Sequence, residues 1–359
     1  MAARTTRRVY VGGVPIGGGA PVAVQSMTST PTQDVDATLG QVMRLHEAGC
    51  EIVRVGIPSR SALDAFERIC AESPLPIVAD VHFDPVIACE AAARGASKLR
   101  INPGNIGDWD AVLRVVEAAG KAGIPIRVGV NAGSLHPDVA DEDWPLARKL
   151  ATSASTFCER IAAEGFEDLV VSVKASSVAP TVEAYRLVAE ELPFPLHLGI
   201  TEAGLGTAAV VKSAIGIGAL LLDGIGDTVR VSLTGDPVRE VEVAWEILAS
   251  CDLRRRRPEL IACPTCSRCG IDLADLAERV SDRLSRLDVP LKVAVMGCVV
   301  NGPGEAAEAD VGIAAGQGIG VVFVRGQEVA KVPEAELEDA LFTQIERLLA
   351  DADARKGPG

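Results

Sequence analysis

The chain has 359 residues, 48% of them hydrophobic and 23% charged, with 35 Gly and 21 Pro spread between periodic segments. That composition excludes a largely disordered chain, and the length calls for one large domain with a second near 100 residues, because single cores seldom grow past about 250–300 residues. A net charge of −14 excludes nucleic acid as a partner, since phosphate-backbone binding rests on a basic surface. From residue 21 to about 250, short apolar runs alternate with helical patterns. Strands are predicted at 21–27, 52–55, 77–79, 99–101, 126–130, 169–173, 196–200 and 229–232, with helices at 36–48, 61–71, 85–93, 109–122, 180–191, 208–222 and 237–249. Eight such units over about 230 residues predict a parallel sheet with right-handed crossovers, closed into a barrel.

CDLRRRRP at residues 251–258 then reads as a solvated linker that breaks the preceding helix. Beyond it come a strand at 260–263, a helix at 272–287, a strand at 291–295, a Gly-rich turn, strands near 311–314 and 320–324, a helix at 334–349 and a frayed tail, DADARKGPG. The predicted class is α/β, a (β/α)8 TIM barrel over residues 1–252 followed by a small α+β domain over 253–359. The basic start, MAARTTRR, is followed by no apolar stretch of signal or membrane length, so the expectation is a cytoplasmic protein with no membrane contact.

In a βα barrel the site is built where the strands end at their carboxyl side. Those ends carry Arg54, then Asp80 and His82, Arg100 with Asn102 and Asn105, Arg127 with Asn131, Lys174, Glu202, and finally Arg230 with Ser232. Any one of these cations is expected to reach water or pair with a carboxylate. Five from five strands are costly to bury together unless an anion neutralises them, and Arg forks suit phosphate oxygens, so a compact, multiply charged anion such as a diphosphate is expected. The turns NPGN at 102–105 and GIGD at 224–227 offer backbone N–H groups or are plain loops. Glu202 is placed either for acid–base work or as an Arg partner.

Of nine Cys, Cys50, Cys70, Cys89, Cys158 and Cys251 are scattered, and an odd total disfavours a disulfide framework. The sharper signal is ACPTCSRCG followed by MGCVVNGPGEA, which brings Cys263, Cys266, Cys269 and Cys298 together. Spacing alone fits a structural zinc or an iron–sulfur cluster. The run C-x2-C-x2-C lacks the x3-C-P continuation of a ferredoxin loop, because GID follows Cys269.

CPTCSR at 263–268 together with MGCVVNGPGEA at 296–306 resembles the hydroxymethylbutenyl diphosphate synthase family. The resemblance extends through VQSMT at 24–28, VRVGIP at 53–58, ADVHFD at 79–84, LRINPGN at 99–105, RVGVNAGSL at 127–135, VSVKAS at 171–176, HLGITEAG at 197–204 and GIGDTVRVSLTGDP at 224–237. It implies a substrate barrel and a domain carrying a 4Fe-4S cluster held by Cys263, Cys266, Cys298 and Glu305. It implies diphosphate contacts from Arg54, Arg100, Arg127, Lys174, Arg230 and Ser232, support from Asn131 and Asn301, and catalytic carboxylates at Glu202 and Glu305. The implied reaction is reductive ring opening of 2-C-methyl-D-erythritol 2,4-cyclodiphosphate to 4-hydroxy-3-methylbut-2-enyl diphosphate and water, in the methylerythritol phosphate route to isoprenoids, with reduced flavodoxin or ferredoxin as donor and a homodimer as the working form. Cys269 departs from the family pattern. The rivals are a phosphate-ester or pterin-site barrel enzyme with a structural zinc site, and a non-enzymatic iron–sulfur electron carrier.

Overall fold

A computed structural model describes residues 4–133, 135, 137–265, 269, 271–298, 304, 309–316 and 318–356. The chain divides into two compact units, Met1–Arg254 and Arg255–Gly359.

The first unit opens with a hairpin, β1 (Val9–Val11) and β2 (Val14–Ile16), paired antiparallel around Gly12 and Gly13. Gly12 has φ +57°, the left-handed conformation that tight two-residue hairpin turns demand and glycine adopts freely. Eight parallel strands follow: β3 (Ala23–Met27), β4 (Ile52–Gly56), β5 (Ile77–Asp80), β6 (Lys98–Ile101), β7 (Ile126–Asn131), β8 (Leu169–Lys174), β9 (His197–Leu198) and β10 (Thr228–Val229). They pair in the order β8-β7-β6-β5-β4-β3-β10-β9. A parallel bridge between Val171 and Leu196 brings the two ends of that sheet together, with the Val171 N–H donating to the Pro195 carbonyl at 2.9 Å. The expected barrel is therefore present.

Alternation along the strands decides what each face does. Val53 and Val55, Leu99 and Ile101, and Val171 and Val173 face outward into one apolar core beneath the helices. Those helices form where apolar residues recur at three- and four-residue spacing. Trp109–Ala122 buries Val112, Val115, Val116 and Ala119, starts on an Asp108 side chain that accepts from the Ala111 N–H, and stops at Gly123 in the left-handed conformation. Leu146–Ala163, not foreseen from the sequence, buries Leu150, Ala154, Phe157, Cys158 and Ile161 in the same rhythm. At the amino-terminal end, the hairpin's Val9, Val11 and Ile16 pack with Ala23, Ile52, Val78 and Val170 as an apolar plug.

Several expectations need correction. Strands seven and eight are two residues each rather than 196–200 and 229–232. The apolar run misleads there, because a side chain at Gly199 would collide with the Arg230 carbonyl and the Lys174 ammonium, and the backbone leaves the ladder to line the mouth instead. The Arg run is not a solvated linker: Arg254 pairs with Glu51, Arg255 with Glu259, and Arg256 with Asp288.

The second unit is a five-stranded sheet, β11 (Glu259–Ala262), β12 (Lys292–Met296), β13 (Val311–Ala315), β14 (Ile319–Val324) and β15 (Gln327–Pro333), paired in that order. The first three are parallel and the last two pairings antiparallel. β15 was not expected. It follows a two-residue turn in which Arg325 and Gly326 both have positive φ. Leu276 and Val280 of the helix Leu273–Leu284, and Leu341 and Ile345 of the helix Leu337–Lys356, pack on Val295 and Ile313 of this sheet. The last helix runs through most of what was expected to be a frayed tail, and DADARK carries good helix formers in Ala, Arg and Lys. No helix among the described residues is long and apolar enough to cross a membrane.

Candidate active site at the barrel mouth and the cysteine turns

Above the plug, the residues that alternate into the barrel are not the Val, Ile and Leu that normally fill such an interior. A cavity of about 230 Å³ opens at the mouth, and Arg54, Arg100, Arg127, Asn131, Lys174, Arg230 and Ser232 all line it, with Asp80, His82, Ser172 and Thr201. Met27 and Ile200 supply its apolar wall. The volume lies below the roughly 300–1,000 Å³ of drug-sized sites, which favours a small ligand.

Two carboxylates hold part of this charge. Asp80, 3% exposed at its side chain, lies 3.3 Å from Arg100 Nη1, 3.6 Å from Arg54 Nε and 3.4 Å from His82 Nε2. Burial alone would raise the Asp80 carboxyl, but Arg54, His82 and Arg100 outweigh it and hold it well below the usual carboxylate range. Arg230 Nη2 donates to both Glu240 oxygens, at 3.0 and 3.2 Å, and its Nη1 donates to Ser232 Oγ at 3.4 Å. Glu240 also accepts from Ser26 Oγ and the Leu233 N–H.

The other two cations are different. Neither Arg127, 1% exposed, nor Lys174, 8% exposed, has an ion-pair partner among the described residues. Arg127 Nε and Nη1, Arg100 Nε and Arg230 Nε are buried donors with no acceptor among the described residues. Burial, then the repulsion of Arg127, Arg54, Arg230 and Arg100, pushes the Lys174 ammonium well below the ordinary lysine range. Five basic side chains against two carboxylates among the described residues leave an excess that loss of the Lys174 proton relieves only in part, and the orphaned guanidinium N–H groups point to an anion rich in acceptor oxygens. Glycines make the arrangement possible. A Cβ at Gly199 would lie 2.7 Å from Lys174 Nζ, and one at Gly129 would lie 3.0 Å from Arg100 Nε.

Below the mouth the interior stays polar. Lys98 is fully buried, and its ammonium donates to Gln25 Oε1 at 3.2 Å. His197 Nδ1 is 2.5 Å from Thr228 Oγ1. Lys98 and Glu240 were both missed from the sequence. Lys98 sits two residues before Arg100 on one strand, so the two-residue period would have placed it on the same face.

Glu202 is exposed and does not line the cavity, although its neighbour Thr201 does. Its φ is +52°, a conformation that costs a non-glycine residue of order 1–3 kcal/mol and clusters at functional sites. GIGD at 224–227 precedes β10 and so lies at the opposite end from the cavity, where Asp227 accepts from Thr6 Oγ1 and the Leu196 N–H. It is a structural turn. Asn102 Oδ1 accepts from the Gly104 N–H within its own turn.

In the second unit, β11 and β12 are parallel neighbours ending at Ala262 and Met296, so Cys263 and Cys298 leave the sheet at adjacent carboxyl ends. The Gly297 N–H donates to Cys263 Sγ at 3.2 Å, whereas Cys269 Sγ donates to the Ile271 carbonyl at 3.3 Å. Cys266, Asn301 and Glu305 lie outside the described residues. Of the scattered cysteines, burial pushes the Cys50 thiol up to about 12 and raises Cys158 as well, which makes both unreactive.

Residues 6–245 match the model of the GcpE TIM-barrel domain, and residues 259–347 match that of the GcpE protein C-terminal domain. The chain belongs to the GcpE family. Among its relatives is the 4-hydroxy-3-methylbut-2-en-1-yl diphosphate synthase (flavodoxin) of Aquifex aeolicus, 51% identical over 97% of this chain and 98% of that one. The enzymes of the same name from Geobacter sulfurreducens and Brevibacillus brevis are 51% and 48% identical, each over 96% of this chain and over 98% and 96% of their own. Among solved structures, the dihydropteroate synthase of Yersinia pestis is 16% identical and covers 68% of this chain and 97% of its own at a TM-score of 0.48. In this GcpE-family barrel the cationic cavity stands at the end where barrel enzymes bind substrate.

Proposed function

We propose that this oxidoreductase opens the ring of 2-C-methyl-D-erythritol 2,4-cyclodiphosphate by two-electron reduction, yielding 4-hydroxy-3-methylbut-2-enyl diphosphate and water. The product is the one that its GcpE-family relatives are named for. One observation carries the assignment of the site: buried guanidinium N–H groups on Arg127, Arg100 and Arg230 that have no acceptor among the described residues, around a cavity of about 230 Å³. A cyclic diphosphate brings two negative charges and many acceptor oxygens in a compact shape. Arg54, Arg100, Arg127, Lys174, Arg230 and Ser232 hold the diphosphate, and Asn131 and Asn301 give it polar support. Met27 and Ile200 face the five-carbon skeleton. Because Asp80 and Glu240 already orient Arg100, Arg54 and Arg230, little rearrangement is needed when substrate enters. Glu202, on its strained turn beside Thr201, serves proton transfer to the departing hydroxyl.

Residues 253–359 hold the redox group. The donor chemistry fits an iron–sulfur cluster in the described part: thiols at two adjacent strand ends, one of them accepting a backbone N–H as ligated sulfur does. Cys263, Cys266, Cys298 and Glu305 hold a 4Fe-4S cluster, which supplies single electrons received from reduced flavodoxin or ferredoxin. The chain acts as a cytoplasmic homodimer. Anaerobic purification followed by an absorption spectrum, iron and sulfide analysis, and turnover of the cyclic diphosphate with an artificial reductant tests the whole assignment. A colourless protein carrying zinc would end it.

A further inference from the structure

Gly297 stands between two sulfurs. Its N–H donates to Cys263 Sγ at 3.2 Å, while a Cβ built on it would lie 2.5 Å from Cys269 Sγ and 3.0 Å from Leu273 Cδ2. Cys269 sulfur therefore fills the space that any other residue at 297 would need for its side chain. The two sulfurs also take opposite parts in hydrogen bonding. Cys263 accepts, as a metal-bound thiolate does, whereas Cys269 spends an S–H proton on the Ile271 carbonyl at 3.3 Å. Cys269 packs against the apolar core of its unit together with Ile271.

We propose that Cys269 is a positioning thiol: held on the Ile271 carbonyl, its sulfur seats the Gly297 peptide and so fixes the N–H bond to Cys263 sulfur that sets the reduction potential of the cluster. The inference rests on the cluster assignment above. An N–H donated to a ligating sulfur draws off negative charge and favours the reduced cluster, so a loosened Gly297 peptide leaves the cluster harder to reduce. Glycine is the most mobile of backbones, and without a neighbour pressed into its Cβ space it holds such a bond poorly.

The test uses the full chain purified anaerobically as wild type, Cys269→Ala, Gly297→Ala and the double variant. Iron and sulfide per chain, the paramagnetic resonance spectrum of the reduced cluster and its midpoint potential are measured for each. All four are expected to carry the same iron and sulfide. Both single variants shift to lower potential, Gly297→Ala the further, with the ratio of reduced to oxidised cluster at the wild-type midpoint falling about tenfold, roughly 59 mV for one electron. The double variant returns toward the wild type, because the methyl at 297 enters the volume that the sulfur has left. Loss of iron in Cys269→Ala would make Cys269 a ligand and overturn the proposal, as would four coincident potentials. Wild-type protein without iron would remove the cluster assignment and this inference with it; a normal cluster indifferent to all three variants would remove the inference alone.

Discussion

The two ends of the barrel are made by the same eight strands and behave as opposites. At the amino-terminal end Ile16, Ile52, Val78 and Val170 close a dry plug under the hairpin. Toward the carboxyl end the inward positions carry Arg54, Asp80, Arg100, Arg127 and Lys174, packed around a cavity. The plug lowers the free energy of the fold by burying apolar surface. The mouth raises it, because Arg127 and Lys174 are taken out of water with no ion-pair partner among the described residues. Stability supplied at one end maintains binding power at the other.

That contrast breaks most visibly at Arg127. Two charge-assisted bonds to substrate at about 1.5–3 kcal/mol each mean that Arg127→Ala lowers kcat/KM by about a hundredfold to ten-thousandfold. Its melting temperature holds or rises, since a buried charge with no ion-pair partner among the described residues is gone. A marked fall in melting temperature together with normal turnover would reverse the roles assigned to the two ends. Ile16→Ala, fully buried in the plug, is the converse experiment. It costs about 2–5 kcal/mol of stability by denaturant titration and leaves substrate affinity as it was.

A smaller effect sharpens the same boundary. In Gly199→Ala the new methyl meets the Arg230 carbonyl at 2.6 Å and Lys174 Nζ at 2.7 Å. Overpacking of this kind costs about 1–3 kcal/mol, and calorimetry is expected to show weakened substrate binding as Lys174 is displaced. The smallest effect is a proton. Burial, then Arg127, Arg54, Arg230 and Arg100, depresses the Lys174 ammonium below the ordinary lysine range. Between that depressed value and the ordinary range the folded chain lacks a proton that the unfolded chain keeps, so this group makes stability rise with pH across the window. A diphosphate restores the proton, so affinity falls as pH rises there. Calorimetry in two buffers of different ionisation heat should show uptake of up to one proton on binding; zero uptake would mean that Lys174 keeps its charge in the empty pocket.

Much of the barrel was legible because parallel strands covered by helices read as short runs of Val, Ile and Leu, and their helices as amphipathic repeats. The recurrence of Arg and Lys at equivalent strand ends marked the cationic mouth. Other elements escaped for identifiable reasons. The first hairpin carries a Gly-Gly turn between valines, and β15 follows Arg325-Gly326, yet each lies in a stretch to which no element was assigned. Glu240 looks like an ordinary acid in the first turn of a helix, and only the packing of that helix against the strand ends buries it and aims it at Arg230. Lys98 fell just outside the strand expected at 99–101, whereas the strand begins at it.

In the cysteine turns the sequence names the sulfurs, but not which of them accepts the Gly297 N–H and which gives its proton to Ile271. What the sequence by itself determined is whatever depends on local period and residue chemistry: the strand and helix alternation, the family motifs, and the surplus of cations over carboxylates at strand ends. Only the tertiary structure decided how those cations divide into the paired Arg54, Arg100 and Arg230, and Arg127 and Lys174, which have no ion-pair partner among the described residues. Pairing depends on distances of a few ångströms between residues far apart along the chain, and the closure of the barrel is what brings them to one place.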